Sequence, residues 1–386
     1  MLVKFQVKNF KKFKDEIIFD LSNTRNYSFN EEVIKGKILN KALIYGSNGS
    51  GKSNLGFAIF DIIFHTTDNE KIKKFYENYL YGNGIIEKKA EFIYTFKILG
   101  ESVIYKYTKE NRETLLTEEL LIGGKRVLYL DRVEEKIEVN MKEAKNLKID
   151  DILNTNLSLL KYISNNAILI TNPVYTELMI FLRSMLWLRS ISEDNYMGYS
   201  LEYSNIINEE ILDLNSIKKE ENLTDERKRK LLNLNLKKFE DFLKESGIYL
   251  ELEMREESGQ IYIDVNVDNQ RLPFYEVASS GTIALVNFYI WYKKLDTIKF
   301  LFIDEFDSFY HYKLSKLIIK KLKEKINTQV ILTTHSTNLM DNELLRPDCY
   351  FVLKNNKIKS LPELTEKELR EAHNIEKLFK SGTFDE

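Results

Sequence analysis

Eight consecutive residues, Gly46-Ser47-Asn48-Gly49-Ser50-Gly51-Lys52-Ser53, carry the most specific chemistry in the sequence. They fit the pattern G-x-x-x-x-G-K-[ST] without a mismatch. Glycines let backbone N–H groups turn inward around phosphate oxygens, and a helix starting here adds the positive end of its dipole. Lys52 can reach the β- and γ-phosphates of a nucleotide, and the Ser53 hydroxyl can ligate Mg²⁺. Asn54, the next residue, is counted in the same cradle. A chance glycine-rich turn would share the glycines but not the flanks. Leu43-Ile44-Tyr45 reads as a short buried strand, and Asn54 to Phe64 as a helix with Leu55, Ile59, Ile62 and Ile63 on one face.

Three further stretches could complete a nucleotide site. Phe300-Leu301-Phe302-Ile303-Asp304-Glu305 is an apolar strand ending in two acids. In a nucleoside triphosphatase, Asp304 would lie near Mg²⁺ and Glu305 within reach of the attacking water, as base or orienter. Taken alone, such a pair is as readily a solvated strand end; the phosphate loop, about 250 residues earlier, is what gives it a task. Val330-Ile331-Leu332-Thr333-Thr334-His335-Ser336 ends a second buried strand in a lone histidine. Lone histidines are usually structural. One helix separates the two strands, so their ends can be neighbours, and His335 could there touch a γ-phosphate. Ala278-Ser279-Ser280-Gly281-Thr282 opens a helix, as an ordinary cap or as an anion site.

The elements that must hold these residues are legible in outline. Val3, Phe5 and Val7 alternate with polar residues as a half-buried strand, and Glu16 to Leu21 reads as a second. Asn9 to Lys14 is a polar turn, and Asn23 to Lys37 a loop. Lys71 to Tyr81 is predicted helical and precedes a Gly82-Asn83-Gly84 turn. A meander follows, with Phe92 to Ile98 and Val103 to Tyr107 joined by Leu99-Gly100-Glu101-Ser102, and Leu115 to Ile122 and Lys125 to Leu130 joined by Gly123-Gly124. Residues 140–246 read as helical, with Thr176 to Ile191 a buried helix and Thr224 capping one that carries Leu232, Leu236, Phe239 and Leu243. Its Arg227-Lys228-Arg229-Lys230 run is either a solvated face or a contact for DNA, RNA or a partner. Tyr249 to Met254 and Ile261 to Val267 pair about a Glu257-Ser258-Gly259-Gln260 turn, and Ser280 to Leu295 is a long helix. Lys299 to Ile303 and Gln329 to Thr333 are buried, parallel-type strands around a helix at Lys313 to Ile326. The charged tail from Thr365 is expected to be helical. The predicted division is 1–139, 140–246 and 247–386.

Composition narrows the class. The 386 residues suffice for a large core, and a formal net charge of -2 announces no global basic field. One cysteine, Cys349, excludes a disulfide framework or a cysteine zinc site, and four histidines argue against a histidine metal site. Met1 to Asn9 alternates rather than forming a signal peptide, and no apolar run approaches the roughly 18 residues of a membrane span. The expectation is a cytoplasmic protein without a membrane partner.

Together, and in this order, the four motifs resemble the ATP-binding-cassette type ATPases, most closely the SMC, RecF and OLD branch. The phosphate loop matches Walker A, Asp304 and Glu305 match Walker B and its catalytic glutamate, and Ser279-Ser280-Gly281-Thr282 matches the signature. Asp307 falls in the D-loop, His335 is the switch histidine, and Val7-Lys8-Asn9-Phe10-Lys11-Lys12-Phe13 resembles that branch's N-terminal strand and turn. A narrower likeness is to the prokaryotic AAA-annotated ATPases of abortive-infection and antiphage systems. It rests on the signature, on Arg346-Pro347-Asp348, and on the tail wording His373-Asn374-Ile375-Glu376-Lys377-Leu378-Phe379 with Gly382-Thr383-Phe384. The chain departs from SMC proteins in lacking sustained heptads over 140–246, and no glutamine marks a Q-loop between Lys52 and the first hairpin. It departs from OLD nucleases in having only about 50 residues after His335, too few for a Toprim domain, so an effector would be another chain.

The resemblance implies an α/β nucleotide-binding head with an antiparallel β subdomain and an inserted helical region, without a long coiled coil. It implies ATP and Mg²⁺ as cofactors. Glu305, His335 and Lys52 would be catalytic, and Ser53 and Asp304 would hold the metal. Ser279, Ser280, Gly281 and Asp307 would bind nucleotide, Ser280 and Gly281 by closing on ATP held by another copy in a homodimer or higher homo-oligomer. A separate toxin or nuclease effector follows from the narrower likeness. A RecF-like repair ATPase binding DNA across the dimer is the alternative; a non-hydrolysing scaffold would have no use for Glu305.

Overall fold

The alternation at the N-terminus becomes β1 (Leu2–Lys8), which buries Leu2, Phe5 and Val7 and pairs antiparallel with β2 (Ile17–Asp20). In this computed structural model the residues described are 1–67, 77–85, 87–168, 171–189, 208, 210–219, 224–308 and 310–385. The chain divides into two compact units. One comprises Met1–Leu188, Thr297–Phe306 and Lys323–Glu386, the other Arg189–Asp296 and Asp307–Leu322. The chain thus passes between the units at 188/189, 296/297, 306/307 and 322/323.

In the first unit, the segment read as a loop contains β3 (Ile34–Lys35), which forms a two-rung hairpin with β4 (Ile38–Leu39) just beyond it, before β5 (Lys41–Tyr45). Helix α1 (Lys52–Thr66) follows. The helix predicted at Lys71 to Tyr81 falls mostly outside the described residues, and 77–80 are not helical. The meander is as read: β6 (Ala90–Ile98), β7 (Glu101–Lys109), β8 (Leu115–Ile122) and β9 (Lys125–Asp131), extended by β10 (Lys136–Val139). Two of its turns are two residues long, Leu99-Gly100 and Gly123-Gly124, all four residues at positive φ, matching the twist of the flanking strands. These strands form an antiparallel sheet in the order β10-β9-β8-β7-β6-β1-β2.

Two short helices, α2 (Leu159–Asn166) and α3 (Pro173–Arg183), come next. The apolar stretch Thr176 to Ile191 is not one helix. It breaks at Ser184, and β11 (Met185–Arg189) becomes the edge strand of a second sheet. Met-Leu-Trp-Leu is apolar at every position, so its period does not separate strand from helix.

The second unit contains α4 (Leu214–Lys219) and α5 (Asp225–Glu245). Thr224 caps α5 as expected, and Leu232, Leu236, Phe239 and Leu243 are buried with Phe242. Arg227, Lys228, Arg229 and Lys230 are exposed. At 21 residues, α5 is the longest helix among the described residues, so no long coiled coil is present there. A three-stranded sheet follows: β12 (Leu252–Glu257), β13 (Gln260–Val267) and β14 (Gln270–Pro273). After one turn, α6 (Phe274–Val277), comes α7 (Ser280–Lys294), whose Tyr289 packs on Phe239 and Phe242.

The first unit resumes with β15 (Phe300–Asp304); α8 (Tyr312–Glu324), all but its last two residues in the second unit, precedes β16 (Gln329–Thr334) of the first. Two strands not read from sequence, β17 (Tyr350–Lys354) and β18 (Lys357–Ser360), complete a six-stranded sheet in the order β11-β15-β16-β5-β17-β18. β15, β16, β5 and β17 are parallel. Of the charged tail, only α9 (Ile375–Lys380) is an α-helix. Cys349 is buried.

The two large sheets explain why α1 is buried on nearly every face rather than one. Phe57 and Phe60 meet Trp187 of the parallel sheet, and a Cβ on Gly56 would stand 2.9 Å from the Phe302 ring. On the other side, Tyr94 and Tyr107 of the meander reach Ala58 and Asp61.

Candidate functional site

Parallel pairing brings the predicted residues of the first unit to one edge. Leu43 pairs with Leu332 and Tyr45 with Thr334, while Ile303 pairs with Leu332. The loop after β5, the acids after β15 and the histidine after β16 therefore leave the sheet together, at the carboxyl ends where α/β sheets hold ligands.

The loop is tight. Gly46 N–H donates to the Thr334 carbonyl at 3.3 Å, and Ser50 N–H to the Ser47 carbonyl at 3.1 Å. A Cβ on Gly46 would lie 2.4 Å from Ser50 Oγ and 3.1 Å from the Leu353 carbonyl, so only glycine fits. Gly51 caps α1 at φ 111°, a value open to glycine, and Lys52 and Ser53 begin the helix. Lys52 Nζ turns back into the loop and donates to the carbonyls of Gly46 at 2.6 Å and Ser47 at 3.2 Å. A bound phosphate can take the place of such neutral acceptors.

Asp304 ends β15 and is buried, and its Oδ1 accepts from Thr333 Oγ1 at 2.7 Å. Glu305 follows at φ 48°, uncommon for a residue with a Cβ. It shares a recess of about 150 Å³ with Gly49, Gly51, Lys52, Ser53 and Asn54. His335 lies just past β16, exposed in a bend, and does not line that recess. Ser279, Ser280, Gly281 and Asp307 belong to the second unit. There Ser279 caps α7, accepting from Thr282 N–H at 3.1 Å, and Ser279 and Ser280 are exposed.

These residues fit ATP and Mg²⁺. The glycine cradle, Lys52 and the start of α1 are suited to phosphate oxygens. Ser53 and Asp304 offer the hard oxygens Mg²⁺ prefers, few enough to leave it phosphates and water as further ligands. Glu305 adds an acid to the lining of the same recess. Two neighbours of the site had no assigned part in the sequence reading. Lys12, in the turn after β1, donates to the Gly49 carbonyl, and Thr333 touches both acids' residues. Both were visible, Lys12 as one of the paired lysines between Phe10 and Phe13, Thr333 as a hydroxyl at the end of an apolar strand.

No helix among the described residues is long and apolar enough to cross a membrane. No curated protein matches the chain. Among solved structures it is similar to an Smc head bound to the C-winged helix domain of ScpA, at 16% identity over 94% of this chain and 98% of that one, TM-score 0.45. The SMC head domain from Thermotoga maritima is similar at 16% identity over 93% and 98%, TM-score 0.43. A family model described as "AAA domain, putative AbiEii toxin, Type IV TA system" matches residues 41–341, which run from the first residue of β5 past His335. With well over half of its length matched and the phosphate loop inside the match, the chain belongs to this AAA family.

Proposed function

We propose that the chain is an ATP-hydrolysing switch that closes as a head-to-tail pair. One observation carries the reading: Glu305 shares a single recess with Gly49, Gly51, Lys52, Ser53 and Asn54. In it Lys52 holds the β- and γ-phosphates, and Ser53 and Asp304 hold Mg²⁺. Glu305 takes or orients the proton of the attacking water, and His335 contacts the γ-phosphate. The exposed, Ser279-capped start of α7 gives Ser280 and Gly281 to ATP on a second copy, with Asp307 at the same junction. ATP holds the closed pair and hydrolysis releases it. The family's description, which joins an AAA domain to a toxin system, supports a cytoplasmic role controlling a separate toxin or nuclease effector in antiphage defence.

The test is complementation between two inactive variants. Ser280→Arg should bind ATP through its own Lys52 but block closure, and Lys52→Ala should fail to hold the phosphates. Mixed pairs contain one interface with both lesions and one with neither. Recovery of ATP hydrolysis on mixing supports sharing between copies. Full activity of Ser280→Arg alone would overturn it.

A further inference from the structure

Thr333 holds three successive residues of the turn after β15. Its Oγ1 donates to Asp304 Oδ1 at 2.7 Å, Glu305 N–H donates to the same Oγ1 at 2.8 Å, and Phe306 N–H donates to its carbonyl at 3.2 Å. Thr333 is fully buried in β16, the strand lying between β15 and β5 in the sheet. A hydroxyl has one proton. With Glu305 N–H already donating to it, that proton goes to Asp304 Oδ1. The same oxygen thus fixes the side chain of the acid proposed for Mg²⁺ and the backbone of the acid proposed for water.

The backbone of Glu305 needs such a hold. Left-handed φ, 48° at Glu305, is costly for a residue with a Cβ and persists only where surrounding contacts impose it. Here those contacts are the two N–H bonds to Thr333, one on either side of the Cα–C bond of Glu305. From this geometry we propose that Thr333 is a positioning residue for hydrolysis. It aims Glu305 and Asp304 without touching nucleotide, and it ties the acids to the strand that leads to His335. The assignment rests on the ATPase reading above.

Thr333→Val keeps the shape and the backbone carbonyl but removes both hydroxyl bonds; Thr333→Ser keeps them. Full-chain kinetics and calorimetry should show kcat for Thr333→Val lowered by about tenfold to a hundredfold, the range expected when a catalytic group is misplaced by an ångström or less. ATP affinity without Mg²⁺ should stay within about twofold, and Thr333→Ser should keep most of the wild-type kcat. A double-mutant cycle protects the test from a purely structural loss: on a Glu305→Gln background, in single turnover, Thr333→Val should cost much less than it does alone. Unchanged kcat in Thr333→Val, equal damage in Thr333→Ser, or full additivity with Glu305→Gln would each overturn the assignment. A wild-type chain that binds ATP without hydrolysing it would instead remove the reading on which the assignment rests.

Discussion

Lys52 and Lys109 are buried lysines of the same unit, 3% and 0% exposed, and both donate to backbone carbonyls, but Lys109 is also paired with a buried carboxylate. At the phosphate loop, Lys52 donates to backbone carbonyls, which a phosphate can replace. In the meander, Lys109 lies 2.9 Å from the Asp61 carboxylate, itself fully buried. Tyr107 donates to the same Asp61 oxygen at 2.9 Å. A second cluster lies beside it. Tyr105 OH donates to Glu118 at 2.8 Å, so the 2.9 Å bond between His65 Nε2 and that hydroxyl has the imidazole as donor. Burial holds His65 well below its usual range, so it is the neutral tautomer with the proton on Nε2. Glu118 also accepts from Ser158 Oγ and from the Leu159 and Leu160 N–H groups that open α2. One helix, α1, thus presents exchangeable contacts at its start and locked ones near its end. A carbonyl contact can give way to a phosphate; a matched buried carboxylate leaves no room for one.

The largest effect should come from the exchangeable end. Lys52→Ala removes the main side-chain cation from the cradle. Losing a hydrogen bond to a charged group costs roughly 2–3 kcal/mol, so ATP should bind about thirtyfold more weakly or not measurably. Thermal stability should change little by comparison. Calorimetry showing unchanged ATP affinity would break the distinction from the ligand side.

The locked end should answer in stability instead. Asp61→Asn leaves the Lys109 ammonium buried without its countercharge, a loss of about 3–5 kcal/mol where one partner of a buried pair is removed. Replacing both, as Asp61→Leu with Lys109→Met, should recover much of that, because no buried charge remains. Denaturant unfolding measures both. If Asp61→Asn instead weakens ATP binding as much as Lys52→Ala while leaving stability intact, the two ends of α1 do not divide as described.

How much of this the sequence disclosed follows from what each feature needs. The phosphate loop, β15, β16 and the capped start of α7 depend on local pattern and were legible. The meander turns were legible because Leu99-Gly100 and Gly123-Gly124 are short-range signals. Trp187 was not, because an edge strand covered by α1 is as apolar as a buried helix. The Asp61 and Lys109 pair was not, because the 47 intervening residues close only when the meander folds over α1. Thr333 was seen as part of a strand, but its role comes from pairing between β15 and β16, which no single segment displays.

The smallest effect sharpens the comparison with a third buried lysine. Lys41, 4% exposed, sits at the opposite end of β5 from the phosphate loop and donates to the Lys325 carbonyl at 3.0 Å and the Thr328 carbonyl at 2.7 Å. It has neither a carboxylate partner, among the described residues, nor access to a ligand. Burial, helped by the Lys35 charge, brings it down to about 7 from 10.5. Two carbonyls suit the two N–H groups of a neutral amine, so the fold loses little when the proton leaves. Between the folded and unfolded values the unfolded chain binds the extra proton, so stability must rise with pH across that window. Below about pH 7 the cost of burying the charge is present in full. Lys41→Met has no such proton. Other titrating groups are common to both proteins and cancel in their difference. The stability of the wild type relative to Lys41→Met should therefore increase between about pH 6 and about pH 9. Parallel profiles, or a difference that shrinks as pH rises, would mean that Lys41 stays charged in the fold and that two carbonyl dipoles suffice to hold an ammonium away from water.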